Sequence, residues 1–582
     1  MKVRITAVAG VAALALGLTA CGGGGTTQGG GQASTPAGQP ASSPAASDGA
    51  IKELPPQDIN EQPREKVKDG GTLRLAINNL GPQFNRLHAN GGLADTDNLA
   101  DVLLPQAFDS DGSGNLKPNK DLLVSAEQTS TSPQTIVYKI NPAAKWSDGK
   151  PITAKDFIAQ ANAMSGKDKK FQAGFTTGYD QIESIKQGAD EREVIMIFKA
   201  PFQAWQGLFG PLMSAEDTGT PDAFNKNWLN KVGVTGGPFK LDKIDQTAKT
   251  FTVVRDDNFW GDKAKLDSIV FRTLAVDAET GAFANGEIDF TDIGPDAAAL
   301  KQAEAVPGAV IRRAAGPDIR HITLNAGGSE ILKDQKVRQA VFMGLNREAI
   351  TESDLNGLGV PVKTLDNLIY VNTQPAYKPN AGEFGTYNPD KAKALLEEAG
   401  WKLEGATRKK DGKELVLRYV IGAGVPITKA EAELAQAMLG EIGIKVNIEQ
   451  VPLEKFWDDY VYAANFDLCS FSLLGTPFPI SDTVSSYKKP EIKDGKPVYV
   501  NNTTHFGTDE IDQMLATAAS ELDPAKAAEL ANAADVKLWE QALRMTLFQR
   551  PQIKAAKANL ANLGAPGFAD SSEVWENVGF TE

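Results

Sequence analysis

The sequence predicts an α/β body of two or three lobes, and three observations carry that prediction. Roughly 510 of the 582 residues read as globular, more than one hydrophobic core normally supports. From about residue 388 onward, helical stripes at three-and-four spacing alternate with strand-like runs, the order of a mainly parallel sheet with helices on both faces. Between residues 320 and 350 a strand, a Gly-containing break and a capped helix follow each other directly, so one lobe hands over to the next there.

The first segments precede that body. Lys2 and Arg4 stand before an apolar run at residues 5–18, and Leu18-Thr19-Ala20-Cys21 forms a lipoprotein cleavage box. A run of about 14 residues is too short to span ~30 Å of hydrocarbon, so residues 1–21 read as a signal peptide with the Cys21 thiol as lipid acceptor. An ordinary secreted protein, cleaved after an A-x-A-like site, is the alternative. Residues 22–69 read as a flexible tether. As far as about residue 50 they are nearly all Gly, Ser, Thr, Ala, Pro and Gln, and the remainder is charged and contains Pro.

In the body, Gly70-Gly71-Thr72-Leu73-Arg74-Leu75-Ala76-Ile77 alternates like a strand, and residues 78–98, including Asn79 and Phe84, form a loop long enough to line a site. Residues 136–140 and 193–198 read as strands, and Thr153 with Asp156 has the spacing of a capping box. Further strands are expected at 251–255, 268–274 and 286–290. Asp334 caps a helix whose buried stripe is Val337, Ala340, Val341, Gly344 and Leu345, and Asn346 caps a short one after it. Asn388-Pro389 opens another, which Gly400 ends. Strands at 415–420 and 445–451 flank a helix with Leu434, Met438 and Ile442 on one face, and Asp523-Pro524 begins the last long helix.

A formal charge of −14 with no basic stripe argues against nucleic-acid binding. The only cysteines are Cys21 and Cys469; with the first lipidated, neither a disulfide nor a Cys-based zinc cluster can form within the chain. The sequence has no Gly-x-Ser-x-Gly elbow, no His-Glu-x-x-His and no Walker-type phosphate loop, and its three histidines are scattered. An exported enzyme is thus the weaker reading, and no cofactor is implied.

Several passages carry a more specific signal. Gly70-Gly71-Thr72-Leu73, the run from Trp146 to Asp156, Gly236-Gly237-Pro238-Phe239, Gly286-Glu287-Ile288-Asp289, Asp334-Gln335-Lys336-Val337-Arg338-Gln339-Ala340 and the run from Asn388 to Trp401 occur in this order. Together they resemble the solute-binding proteins of dipeptide/oligopeptide ABC importers, family 5, over roughly residues 70–582. The resemblance implies a periplasmic-binding-protein-like type II fold: two large lobes, an extra inserted lobe and a two-crossover hinge. Lobe I would take residues 70–115, 227–324 and 546–582, the inserted lobe II residues 116–226, and lobe III residues 325–545, with crossovers near 324–326 and 544–548.

The same resemblance implies a site in the cleft between lobes. Thr291 and Asp292 follow the strand whose loop faces the cleft in that family. His321 and Asn325 stand at the crossover, although a lone His there is more often structural, and Phe548 lies near the cleft. In peptide-binding members a Trp and, three residues later, an Asp that pairs with the peptide amine follow a "Y/F-D" strand. Counting from Phe466-Asp467 puts Leu473 and Thr476 at those positions, with Leu474, Gly475 and Phe478 beside them, so the usual acid is missing. Asp482 either swings in or caps a helix before Val484.

The expected protein is a monomer, lipid-anchored outside the cytoplasmic membrane, that closes on oligopeptides and delivers them to a membrane permease. A non-peptide solute or modified peptide, and a peptide-sensing receptor, are the alternatives. Restoring the acid tests the placement: Thr476→Asp should strengthen binding of free-amine peptides in calorimetry, and an unchanged affinity would mean that the site has been put at the wrong residue.

Overall fold

The computed structural model describes residues 53–493, 496–499, 501–569 and 574–582. The signal peptide, Cys21 and the tether up to residue 52 lie outside the described residues. Two four-stranded sheets and a six-stranded sheet carry the architecture. The first four-stranded sheet orders Thr72–Ile77, Ser268–Thr273, Thr250–Arg255 and Phe239–Asp245, with the first pair parallel and the others antiparallel. The second is antiparallel throughout: Leu123–Thr131, Gln134–Ile140, Glu193–Phe198, Ile182–Gln187. Buried side chains of both sheets belong to one continuous apolar cluster.

The six-stranded sheet orders Phe290–Asp292, Arg544–Lys557, Ala309–Leu324, Leu468–Leu473, Val416–Gly422 and Lys445–Val451. Its last three strands run parallel, as the strand–helix alternation predicts, and its first four antiparallel. Helices bury a second large cluster against it. Their ends follow side-chain chemistry: Asp334 accepts from Lys336 N at 2.9 Å, Asn346 from Ala349 N at 3.1 Å, Asn388 from Lys391 N at 3.0 Å and Asp523 from Ala525 N at 3.0 Å. Gly400 turns with φ +87°, and Trp401 N returns to Leu396 O at 2.9 Å.

Three expectations need correction and a fourth is extended. The crossovers expected near 324–326 and 544–548 fall at one end of a longer paired structure. Ala309–Leu324 and Arg544–Lys557 form one long antiparallel ribbon, from Ala309 opposite Lys557 to Thr323 opposite Arg544. Its main interruption lies between Ala315 and Ile319, where Pro317 has no N–H to give the ladder. Residues 55–69 are not free tether. Ala315 N donates to Pro55 O at 2.9 Å, Asp58 forms a two-way bridge with Ala565 and accepts from Arg313 N at 3.0 Å, and Arg64 donates to Glu576 O at 2.7 Å. Charge and Pro content do not reveal such backbone pairing with the distant C-terminal segment.

The strand expected at 286–290 begins at Phe290, because Asp289 is drawn to Arg74, accepting from its N at 2.8 Å and its Nη2 at 2.6 Å. On helix Pro426–Glu441 the buried face is Thr428, Glu431, Ala432, Ala435 and Leu439, with Leu434 and Met438 only flanking it. The charged Glu431 is there to meet Arg320, with Nε–Oε1 2.7 Å and Nη2–Oε2 2.6 Å, which a hydrophobic pattern cannot signal.

Asp354 is buried beside this pair. Burial pushes its carboxyl far up, and the Glu431 charge adds to the shift, so it keeps its proton near neutrality. A folded-state pKa raised above the unfolded one favours folding in acid and opposes it increasingly as pH rises from about 4 through neutrality. Asp354→Asn should therefore raise the melting temperature, by more at pH 8 than at pH 5. Equal gains at both pH values in scanning calorimetry would contradict the assignment.

Candidate functional site

Strand Leu468–Leu473 runs beside Ala309–Leu324 and ends with Leu473 opposite Ile319, at the ribbon's interruption. The next residues cross that interruption closely. Gly475 N donates to Asp318 Oδ1 at 3.2 Å, and a Cβ on Gly475 would stand 2.2 Å from Pro317 O, so only glycine fits. Helix Pro479–Tyr487 follows, and its Asp482 carboxylate reaches back over the turn, accepting from Thr476 Oγ1 at 2.7 Å and Thr476 N at 3.2 Å. Opposite, Asn367 Oδ1 holds the backbone by accepting from Ile369 N at 2.9 Å and Tyr370 N at 2.8 Å.

These segments enclose a cavity of ≈ 60 Å³ that is largely apolar, lined by Ile319, Leu368, Leu473, Tyr487 and Phe568 among others, with Thr476 and Asp482 as its polar corner. Burial pushes the Asp482 carboxyl up to about 6, against the hydrogen bonds from Thr476 that favour its charged form. It has no ion-pair partner among the described residues.

The other face of helix Pro479–Tyr487, with Ser481, Val484, Ser485 and Lys488, looks into a second cavity of ≈ 490 Å³, whose far wall includes Gly178, Pro201 and Phe202. Phe478 closes the seam between them, its ring so near Gly207 that a Cβ there would come within 2.9 Å. A third cavity of ≈ 540 Å³ opens at the ends of Thr72–Ile77 and Phe290–Asp292. There Glu279 accepts from Asn78 Nδ2 at 2.6 Å and Thr291 Oγ1 at 3.2 Å, and Lys554 Nζ lies 3.0 Å from Asp292 Oδ2. Burial raises the Glu279 carboxyl. It also acts to raise Asp292, but Lys554 and Arg550 outweigh it and hold that carboxyl below the usual range. Arg550 itself spans the ribbon to Asp318 at 3.3 Å.

Of the residues expected at the site, the structure gathers Leu473, Leu474, Gly475, Thr476 and Asp482 in the first cavity and Thr291 with Asp292 in the third. Phe478 lies on the seam. Asn79 is exposed beside Asn78, its N–H taken by Asp95 Oδ2 at 2.8 Å. Neither Asn79 nor Phe478 lines these cavities, and four further residues are buried away from them. Phe84 is core, with its ring 5.4 Å from that of Phe251, and Phe548 is fully buried. His321 is sealed within the sheet against Phe471, ring centroids 4.4 Å apart. Asn325 spends its side chain on Ala464 O, Phe466 O and Gly328 N.

Asp482 does not cap a helix starting at Val484, because the helix begins at Pro479 and the carboxylate turns toward Thr476 instead. Thr476 thus bonds a carboxylate that stands six residues on. Sequence reading missed Ile319, Leu368, Tyr487 and Phe568, which look like ordinary core positions, and Glu279, Arg550 and Lys554, which are lost among many surface charges. Only Gly316-Pro317, a break inside a strand run, could have flagged the ribbon's interruption.

A long ribbon where two apolar clusters meet, with cavities beside its interruption, is the architecture of a solute-binding protein. The chain belongs to the bacterial extracellular solute-binding proteins of family 5, whose middle-region profile matches residues 117–495. The oligopeptide-binding protein OppA of Mycobacterium tuberculosis (strain H37Rv) is 36% identical over 516 residues, covering 88% of this chain and 85% of that protein. The solved periplasmic EDTA-binding protein EppA superposes with a TM-score of 0.83 at 25% identity, covering 90% of this chain and 98% of its own. The oligopeptide-binding protein AppA from Bacillus subtilis, solved with a nonapeptide, shares the fold: TM-score 0.73, 21% identity, 89% and 100% covered. These relatives are binding proteins, and the α/β type II fold expected from the sequence is theirs.

Proposed function

We propose that this protein captures oligopeptides in the cleft beside the ribbon and presents them to the membrane permease of an ABC importer. The observation that carries this reading is Asp482: a carboxylate in a largely apolar cavity, steadied by Thr476 and without a cationic partner among the described residues. A peptide's terminal ammonium supplies the missing charge, and the apolar walls accept side chains with little regard to sequence. The likeness to OppA and AppA, both oligopeptide-binding proteins, supports the same ligand class.

Capture follows from rotation of the two bodies about residues 316–318 and the facing 549–551, with the ligand favouring closure only through contacts made to both sides. Lobe boundaries are best set by that pivot. A lipid on Cys21 would keep a monomeric body at the outer membrane face within reach of its permease, and micromolar affinity, about −8 kcal/mol, allows capture and release. A non-peptide solute is the second reading, favoured by the likeness to EppA, a protein named for EDTA binding.

Asp482→Asn should weaken a free-amine peptide by about 1.5–3 kcal/mol, roughly 10- to 150-fold, while leaving its N-acetylated form unchanged. Because the carboxyl titrates near 6 in the unliganded protein, affinity for free-amine peptides should also fall as pH drops through about 6. Calorimetry with the two peptides at pH 5 and 7.5 reads both effects, and equal losses for both would remove the ammonium from the site. Mass spectrometry of molecules released on unfolding the purified protein separates the ligand classes. A ladder of mixed short peptides is expected, and a single non-peptide species would favour the second reading.

A further inference from the structure

Arg544, the first residue of strand Arg544–Lys557, is one of the largest fully buried side chains in the protein. It pairs across the sheet with Thr323, whose neighbour on the other side is Cys469, and His321 stands one step along the same face. Its Nη2 donates to Thr503 Oγ1 at 2.9 Å, and its guanidinium carbon lies 4.6 Å from the Tyr487 ring centroid. Its Nε and Nη1 have no hydrogen-bond partner among the described residues, and neither does Thr323 Oγ1, while the Tyr487 OH faces Arg544 and the His321 ring faces the backbone of Ile319 and Phe471.

Other buried arginines are treated differently. Arg320 and Arg347 face the carboxylates of Glu431 and Asp366, and Arg338 donates to the carbonyls of Gln541, Leu332 and Lys333. No carboxylate lies within ion-pairing distance of Arg544 among the described residues. Asp535, whose charge bears on Tyr487, is occupied by Leu368 N at 2.8 Å and Asn380 Nδ2 at 2.9 Å. Apart from Asp535, which is bonded elsewhere, the groups around the guanidinium carry no compensating charge. Burial, helped by the charges of Arg544 and Arg320, holds His321 neutral, and burial likewise keeps the Cys469 thiol and the Tyr487 phenol protonated. A guanidinium cannot shed its proton to escape burial. Water would satisfy its N–H groups but not its charge.

We propose that Arg544, Thr323 and Tyr487 form an internal site for a small monovalent anion, either a halide or a carboxylate. Arg544 supplies charge and two N–H edges, and the Thr323 and Tyr487 hydroxyls complete a donor set with a neutral surround. Tyr487 also lines the cleft cavity, so the anion has two possible sources: a free ion from solvent, or the carboxylate of a solute bound in the cleft.

Thermal unfolding of the whole protein at constant ionic strength, in sodium gluconate with increasing chloride, bromide or formate, tests this. Binding to the folded state alone should raise the melting temperature on the order of 1 °C per tenfold increase in anion above its dissociation constant. Arg544→Met should abolish the rise. Thr323→Val should reduce it, and serves if the first variant does not fold. A rise with halide, and a bromide anomalous peak beside Arg544 Nη1, identify a solvent ion. A rise with formate alone identifies a carboxylate-bearing solute. Identical melting in all salts with no bromide peak, or the same rise in wild type and both variants, overturns the site.

Discussion

The paired strands Ala309–Leu324 and Arg544–Lys557 are the constraint on which the rest depends. They give the six-stranded sheet its centre, and they lie where both apolar clusters meet, with Ala555 in one and Ala556 in the other. Alternate residues of such a ribbon face opposite sides, so its register fixes which side chains enter which core. The interruption at 316–318 is the one long lapse in the ladder, and the chain uses it as a crossing point: Gly475 runs over Pro317, while Asp318 meets both Gly475 N and Arg550. On the proposed reading, pivot and binding corner share the same few residues, so a solute at Thr476 or Asp482 lies close to the axis, where the two sides stay near each other through the rotation.

Much of this was legible in the sequence. Capping residues were read correctly at Asp334, Asn346, Asn388 and Asp523, since a cap is a local bargain between one side chain and the next turn. Strands with clean alternation, such as Glu193–Phe198 and Lys445–Val451, were equally plain. What escaped was decided at long range. Nothing near Pro55 or Asp58 announces their pairing with Ala315, Arg313 and Ala565, and nothing near Glu431 announces Arg320. His321 and Asn325 were placed by proximity to a crossover, but a strand buried on both faces hides its side chains wherever it leads.

The candidate site shows the same division. The turn from Leu473 to Thr476 was found by counting from a strand, yet the acid was looked for at a position in sequence when it is supplied in space. Asp482 arrives from within a helix and Thr476 serves as its partner. On the proposed reading, chemistry that the family usually keeps on one residue would be divided between two, and positional comparison alone would read such a division as a loss.

The attachment of residues 55–58 beside the ribbon has a mechanical consequence. Whatever chain precedes residue 53 enters the folded body through Pro55 and Asp58, bonded to Ala315 and Arg313 directly before the interruption. If the molecule rotates about that interruption, a pull transmitted along the preceding chain would act almost at the axis, where its moment arm is short and the torque on either side small. Such a pull would swing the molecule as a whole while leaving the balance between open and shut nearly untouched.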